Sequence, residues 1–118
     1  MSTTYEEKRK FKRLPINLML GVDKLYKQDS DEVDDVNADI KVIDISKSGL
    51  GFVSKAKLPV GQYFNSTIGL GSNDYFRAVV KIVRESDEDN AIRYGAEFVG
   101  LAPFLQKKVD DYELRLVK

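Results

Sequence analysis

The sequence predicts a mainly β fold: a six-stranded antiparallel barrel with a flexible N-terminal arm and one C-terminal α-helix. Three observations predict it. Short apolar stretches recur between polar segments and breaks bearing glycine or proline. In the best-formed stretch, Tyr75 to Arg84, the side chains of Phe76, Ala78, Val80 and Ile82 alternate with Arg77 and Lys81, the period of a half-buried strand. After Pro103 the period lengthens: Leu105, Val109, Tyr112 and Leu116 fall at i, i+4, i+7 and i+11, one face of a helix.

Residues 1–13 have no apolar periodicity and read as an exposed arm, leaving 14–118 as a single barrel domain. Pro15 opens the first strand, Ile16 to Tyr26, where Leu18, Leu20 and Val22 alternate and Leu25 and Tyr26 follow less regularly. Residues 27–37 are polar, acidic and free of glycine, and read as a mobile loop. Ala38 to Ile45 forms the next strand, through Ile40, Val42 and Ile45. Asp44 to Gly49 is a turn by composition, after which Leu50, Phe52 and Val53 resume the extended pattern. Pro59 and Gly61 interrupt the chain, and Tyr63 to Leu70 is a strand ended by Gly69, Gly71 and Asn73. Ser86 to Asn90 reads as a polar turn and Ile92 to Val99 as the last strand. In the helix, Pro103 suits the first turn, and Asp111 with Arg115 makes a favourable i,i+4 pair. Short strands followed by one helix fit a closed barrel with a helical plug.

The 118 residues fit one domain, and 42% hydrophobic with 32% charged residues marks a globular chain. The sequence has neither histidine nor cysteine. Ser-His-Asp and Cys-His catalysis, disulfides and the usual zinc sites are thereby excluded, and an enzyme is not expected. The start carries no apolar core of a signal peptide, and no apolar run approaches the ~20 residues that span a bilayer. A soluble, cytoplasmic protein is the expectation. The acidic run Asp29 to Asp35 offers no calcium loop, because Val33 and Asp34 stand where an EF-hand needs an oxygen ligand and a glycine. No metal and no cofactor are expected.

Lysine plus arginine and aspartate plus glutamate both total 19, yet the charges are segregated. Lys8, Arg9, Lys10, Lys12 and Arg13 form a basic cluster; Asp29, Asp31, Glu32, Asp34, Asp35 and Asp39 form an acidic one. A basic cluster on a neutral chain points to a local anion site. Within it, Arg9 and Arg13 stand four apart. Further on, Asp44-Ile-Ser-Lys-Ser-Gly49 sets an acid, a hydroxyl and a glycine at fixed offsets where a strand ends.

These two segments, in this order and ahead of a barrel of strands, resemble the PilZ family. Its pattern is Arg-x-x-x-Arg on an N-terminal arm, then Asp/Asn-x-Ser-x-x-Gly at the end of a strand. The stretch Tyr94-Gly-Ala-Glu-Phe98 is similar to the family's late strand, where a glycine precedes an aromatic residue. The resemblance runs from about Lys8 to the terminal helix. It implies a receptor for cyclic di-GMP, with Arg9, Arg13, Asp44, Ser46 and Gly49 as ligand-binding residues and Lys8, Lys10 and Gly95 as further contacts. It also implies an arm that is mobile when empty, folds over the ligand, and passes the signal to a downstream effector protein.

The chemistry suits that ligand. A guanidinium takes a phosphate through two parallel hydrogen bonds, meets guanine O6 and N7 with the same fork, and stacks on a base; lysine offers only a point charge. A carboxylate at Asp44 accepts from guanine N1 and N2, whereas adenine presents an acceptor at N1. Ser46 offers a hydroxyl to a phosphate or base edge, and Gly49 either a positive φ or room for close approach. Two other readings compete: a PilZ-like interaction module that binds no nucleotide, and a small nucleic-acid-binding barrel using the basic arm with Tyr63, Phe64, Tyr75 and Phe76. Nucleic acid is disfavoured, since the basic residues are confined to the arm, the acidic run repels phosphates, and strand aromatics belong in a core.

Overall fold

Alternation of apolar side chains carries this chain into six strands, β1 (Leu14–Tyr26), β2 (Val33–Ile45), β3 (Gly49–Ser54), β4 (Tyr63–Gly69), β5 (Tyr75–Glu88) and β6 (Ala91–Phe98), and one helix, α1 (Pro103–Leu116). The computed structural model describes residues 12–27, 33–71 and 74–116. Every ladder is antiparallel, and the strands close into a barrel in the order β1-β2-β3-β6-β5-β4. No helix among the described residues is long and apolar enough to cross a membrane.

β1 and β2 form a hairpin of two 13-residue strands. The loop expected over 27–37 is therefore too long, because β2 already begins at Val33. Val36, Ala38, Ile40 and Val42 all turn inward at a spacing of two, and across the hairpin Lys24 stands opposite Asp35. The acidic residues from Asp35 onward ride on the outer face of a strand whose inner face is apolar. Asp29, Asp31, Glu32 and Asn73 lie outside the described residues. In β1 the phase shifts between Val22 and Lys24, which brings Leu25 back into the core and accounts for its irregular spacing. The turn expected over Ser86 to Asn90 is also shorter: β5 runs to Glu88, and Asp89 and Asn90 turn the chain, with Asp89 at φ 32°.

The core centres on Phe52, which stacks on Tyr94 at 5.1 Å and meets Phe64 edge-on at 6.0 Å. The buried Tyr94 hydroxyl accepts a 2.7 Å hydrogen bond from the Leu58 amide, so the phenol carries its polar end inside without an orphaned group. Phe64 and Phe76 are core residues as expected, but Tyr75 is 57% exposed.

Helix α1 packs Leu105, Val109 and Tyr112 against the barrel, while Leu116, expected on the same face, is 42% exposed. The expected Asp111–Arg115 pair does not form. Asp111 pairs with Lys107 at 3.3 Å, and Arg115 donates to the Leu70 carbonyl at 3.0 Å and reaches Asp74 at 3.5 Å. Lys108 meets the other Asp74 oxygen at 2.7 Å. The Lys108 hydrogen bond, with help from the charges of Lys108 and Arg115, holds the Asp74 carboxyl below its ordinary range. Between Lys108 and Arg115 along the helix, the Tyr112 hydroxyl donates to the Pro15 carbonyl at 2.6 Å, and burial raises this phenol above its ordinary range. Lys12–Glu113 at 3.4 Å and Lys47–Asp110 at 2.8 Å complete the seam. The helix thus clasps both the root of the arm and the turn after β2.

Candidate functional site

The Asp44–Gly49 turn is built by its own side chains. The Ser46 amide donates to the Gly49 carbonyl at 2.9 Å, and the Ser48 amide donates to the Ser46 hydroxyl at 3.1 Å. The two serine hydroxyls lie 2.9 Å apart and Ser46 is buried. Gly49 does not adopt a positive φ, contrary to the first of the two roles expected for it. Nor is its space left for a ligand: a Cβ there would fall 2.0 Å from the Ala96 carbonyl oxygen, so this glycine lets the backbones of β3 and β6 approach.

Asp44 faces outward although Val42 and Ile45 both face the core. The register explains this. Val42 stands opposite Phe52 and Asp44 opposite Gly51, so Ile43 is an extra residue in β2. The same device recurs in β5, where Ile82 stands opposite Ala96 and Arg84 opposite Gly95, leaving Val83 as the extra residue. One row then crosses four strands: Asp44, Gly51, Gly95, Arg84. The two central glycines form a floor on which the outer side chains lie down. A Cβ at Gly51 would meet an Asp44 carboxyl oxygen at 2.6 Å, and one at Gly95 would meet the Arg84 guanidinium carbon at 2.6 Å.

Above this floor is a cleft of about 260 Å³ lined by Arg13, Asp44, Arg84, Glu85, Ser86 and Arg93 over Gly51, Gly95 and Tyr94. Arg13 Nη1 donates to Asp44 Oδ1 at 2.6 Å, and Arg93 Nη2 donates to Asp44 Oδ2 at 3.3 Å. Arg84 makes no ion pair among the described residues, whereas Glu85 pairs with Lys57 at 3.8 Å. Three guanidinium groups against two carboxylates leave the cleft cationic, with one arginine available to an incoming anion. Among the described residues no group of three acidic, histidine or cysteine side chains could hold a metal ion.

Of the residues singled out in the sequence, Arg13, Asp44 and Gly95 meet in the cleft. Ser46 and Gly49 shape the turn behind it. Lys8, Arg9 and Lys10 lie outside the described residues. Sequence reasoning missed Gly51, Arg84 and Arg93. The signal for Arg93 was its place immediately before the Tyr94-Gly95 pair, and that for Arg84 was the break in the alternation of β5.

No curated protein shows a significant sequence match to this chain. Among solved structures, the fold is similar to that of YcgR in complex with c-di-GMP from Escherichia coli, with TM-score 0.67 and 16% identity, covering 92% of this chain and 46% of that one. This chain therefore spans about half the length of that protein. The PilZ domain with c-di-GMP of YcgR from Escherichia coli is also similar, with TM-score 0.59 and 14% identity over 87% of this chain and 86% of the other. The PilZ domain family model matches residues 7–113. A six-stranded barrel with a C-terminal helix, matched over nearly its whole length by that model, places this chain in the PilZ domain family.

Proposed function

We propose that this protein is a cyclic di-GMP receptor that binds the nucleotide in the cleft over Gly51 and Gly95 and acts without catalysis. The observation that carries the reading is the junction of the arm root with the strand-end carboxylate, Arg13 on Asp44 at 2.6 Å, beside Arg84, which has no ion pair among the described residues. The ligand offers two phosphates and two guanines. Guanidinium groups suit both, and Asp44 suits the guanine N1 and N2 donors. Arg9 stands four residues before Arg13, and four residues of chain reach at most about 14 Å, which keeps it within range of the same cleft. Charged hydrogen bonds to the ligand, roughly 1.5–3 kcal/mol each, offset the conformational entropy lost on binding. The rearranged arm and the covered cleft then present a new surface to a downstream effector protein in the cytoplasm.

The YcgR structures, solved with c-di-GMP, support this reading through their shared fold. A calorimetric titration tests it. Saturable binding of cyclic di-GMP, with GMP and cyclic di-AMP much weaker, is the expected result. No heat with cyclic di-GMP overturns it and leaves the chain a PilZ module that works without nucleotide. Binding to any polyanion with a steep loss in salt would indicate a nucleic-acid surface instead.

A further inference from the structure

The cleft belongs to the wall formed by β2, β3, β6 and β5. The opposite wall is built differently. β1 and β4 pair at one position among the described residues, Tyr26 with Tyr63, although β1 has 13 residues and β4 has 7. Beyond that pair the strands part, and a cavity of about 730 Å³ fills the opening. Leu20, Val22, Phe64 and Leu105 form its apolar floor, and the exposed side chains of Met19, Val79 and Val99 form its rim. A second hollow of about 480 Å³ shares Asn65, Val79 and Val99 with the first and extends the trough past Tyr26 and Tyr63.

Two physical facts define what this trough would accept. Among the described residues the β4 edge from Phe64 to Gly69 has no ladder partner on the β1 side, which leaves outward amides and carbonyls for main-chain pairing. The charged lining is cationic only: Arg77 in the first hollow, Lys27 in the second, and no carboxylate in either. Arg77 makes no ion pair or hydrogen bond among the described residues. A strand edge and a guanidinium that both lack partners among the described residues, beside an aliphatic rim, together match an extended peptide with alternating apolar side chains and a carboxylate.

We propose that the β1–β4 seam is a docking groove for an extended acidic segment of a partner protein, added as a strand along β4 with a carboxylate on Arg77. At about 3.3 Å per residue, the open part of β4 from Phe64 to Gly69 accommodates a segment of roughly six residues. Main-chain pairing supplies the affinity, and Arg77 with the aliphatic rim supplies the selection. The groove lies across the barrel from the cleft, so both can be occupied together. This assignment does not depend on which ligand fills the cleft.

Amide-resolved NMR on the full chain tests it. The probe is a blocked nonapeptide alternating valine with glutamate; a second peptide carries lysine in place of glutamate. The expected result is saturable shifts confined to residues of β1, β4 and the 99–102 segment with the glutamate peptide. Arg77→Gln should weaken that peptide about tenfold, Val79→Asp should weaken it through like-charge repulsion, and Lys55→Gln, at a cation outside the trough, should leave it unchanged. Undisturbed shifts elsewhere show that each variant is folded. Equal affinity for the lysine peptide, or no saturable shift with either, overturns the proposal. So would the same seam responding instead to phosphatidylglycerol vesicles, or to raised protein concentration alone; these outcomes would assign it to a lipid surface or to a second copy of the chain.

Discussion

The Asp44 carboxylate is shared between two arginines that enter from opposite directions: Arg13 at 2.6 Å from the start of β1 and Arg93 at 3.3 Å from β6. The carboxylate therefore orients both guanidinium groups while keeping lone pairs for a donor. Asp44→Ala removes the orienting charge and the acceptor together. Cyclic di-GMP binding should fall by about 10- to 100-fold, and more than binding of a generic polyanion. Competition calorimetry with both ligands checks this, and equal losses would show that Asp44 does not read guanine. Arg13→Ala should cost a similar factor.

Arg84 lies over Gly95 with no carboxylate partner among the described residues. Its truncation leaves no stranded opposite charge, so Arg84→Ala should preserve stability and weaken cyclic di-GMP by about tenfold. Arg84→Lys should fail to restore affinity, since an ammonium neither stacks on a base nor pairs through two parallel hydrogen bonds. Full rescue by lysine would reduce Arg84 to a point charge.

Gly49 and Gly51 stand two residues apart and predict opposite phenotypes. A methyl at Gly49 meets the Ala96 carbonyl oxygen at 2.0 Å, and only movement of the backbone relieves it. Gly49→Ala should cost about 1–3 kcal/mol and lower the melting temperature by several degrees. The three atoms nearest to a methyl at Gly51 all belong to the Asp44 side chain, which can turn away. Gly51→Ala should melt almost as the parent does and bind cyclic di-GMP poorly. Thermal melts paired with titrations separate the two.

Asp74 gives the helix an acid-sensitive attachment. Its folded pKa lies below its ordinary value of 3.8, chiefly through the Lys108 hydrogen bond. The stabilisation is thus fully present above that value and is lost as pH falls through the folded pKa. The protection of α1 amides against hydrogen exchange, taken relative to the intrinsic rate at each pH, should fall at the acid end of this range in the parent. Asp74→Asn should show lower protection already at neutral pH and a flatter acid response. The effect should be modest, because Asp74 and its partners are solvent-accessible.

The barrel and its helix were legible because alternation and helical spacing report burial directly. The extent of the β1–β2 hairpin was less legible. The acidic residues give the segment a net polarity that masks a period of two beginning at Val36. In the cleft, Arg13 and Asp44 stood out as motif residues, whereas Arg84 and Arg93 are defined by neighbours on other strands. Their meeting depends on extra residues at Ile43 and Val83, which alternation alone does not reveal. The Arg115–Asp74 contact was hidden for a similar reason: the local i,i+4 rule favoured Asp111, and the β4–β5 turn offered Arg115 both Asp74 and a backbone carbonyl.

Tyr26 with Tyr63 is the single ladder pair that joins β1 to β4 among the described residues, which makes the cylinder easiest to unzip at this seam. Releasing it converts the ring into a curled sheet that keeps every other ladder, so the first hairpin can swing as a flap hinged on β3. The barrel's mechanical weak point and the hollow at the β1–β4 seam are then the same place, and breathing of the wall would begin there, leaving the four strands of the arginine cleft intact.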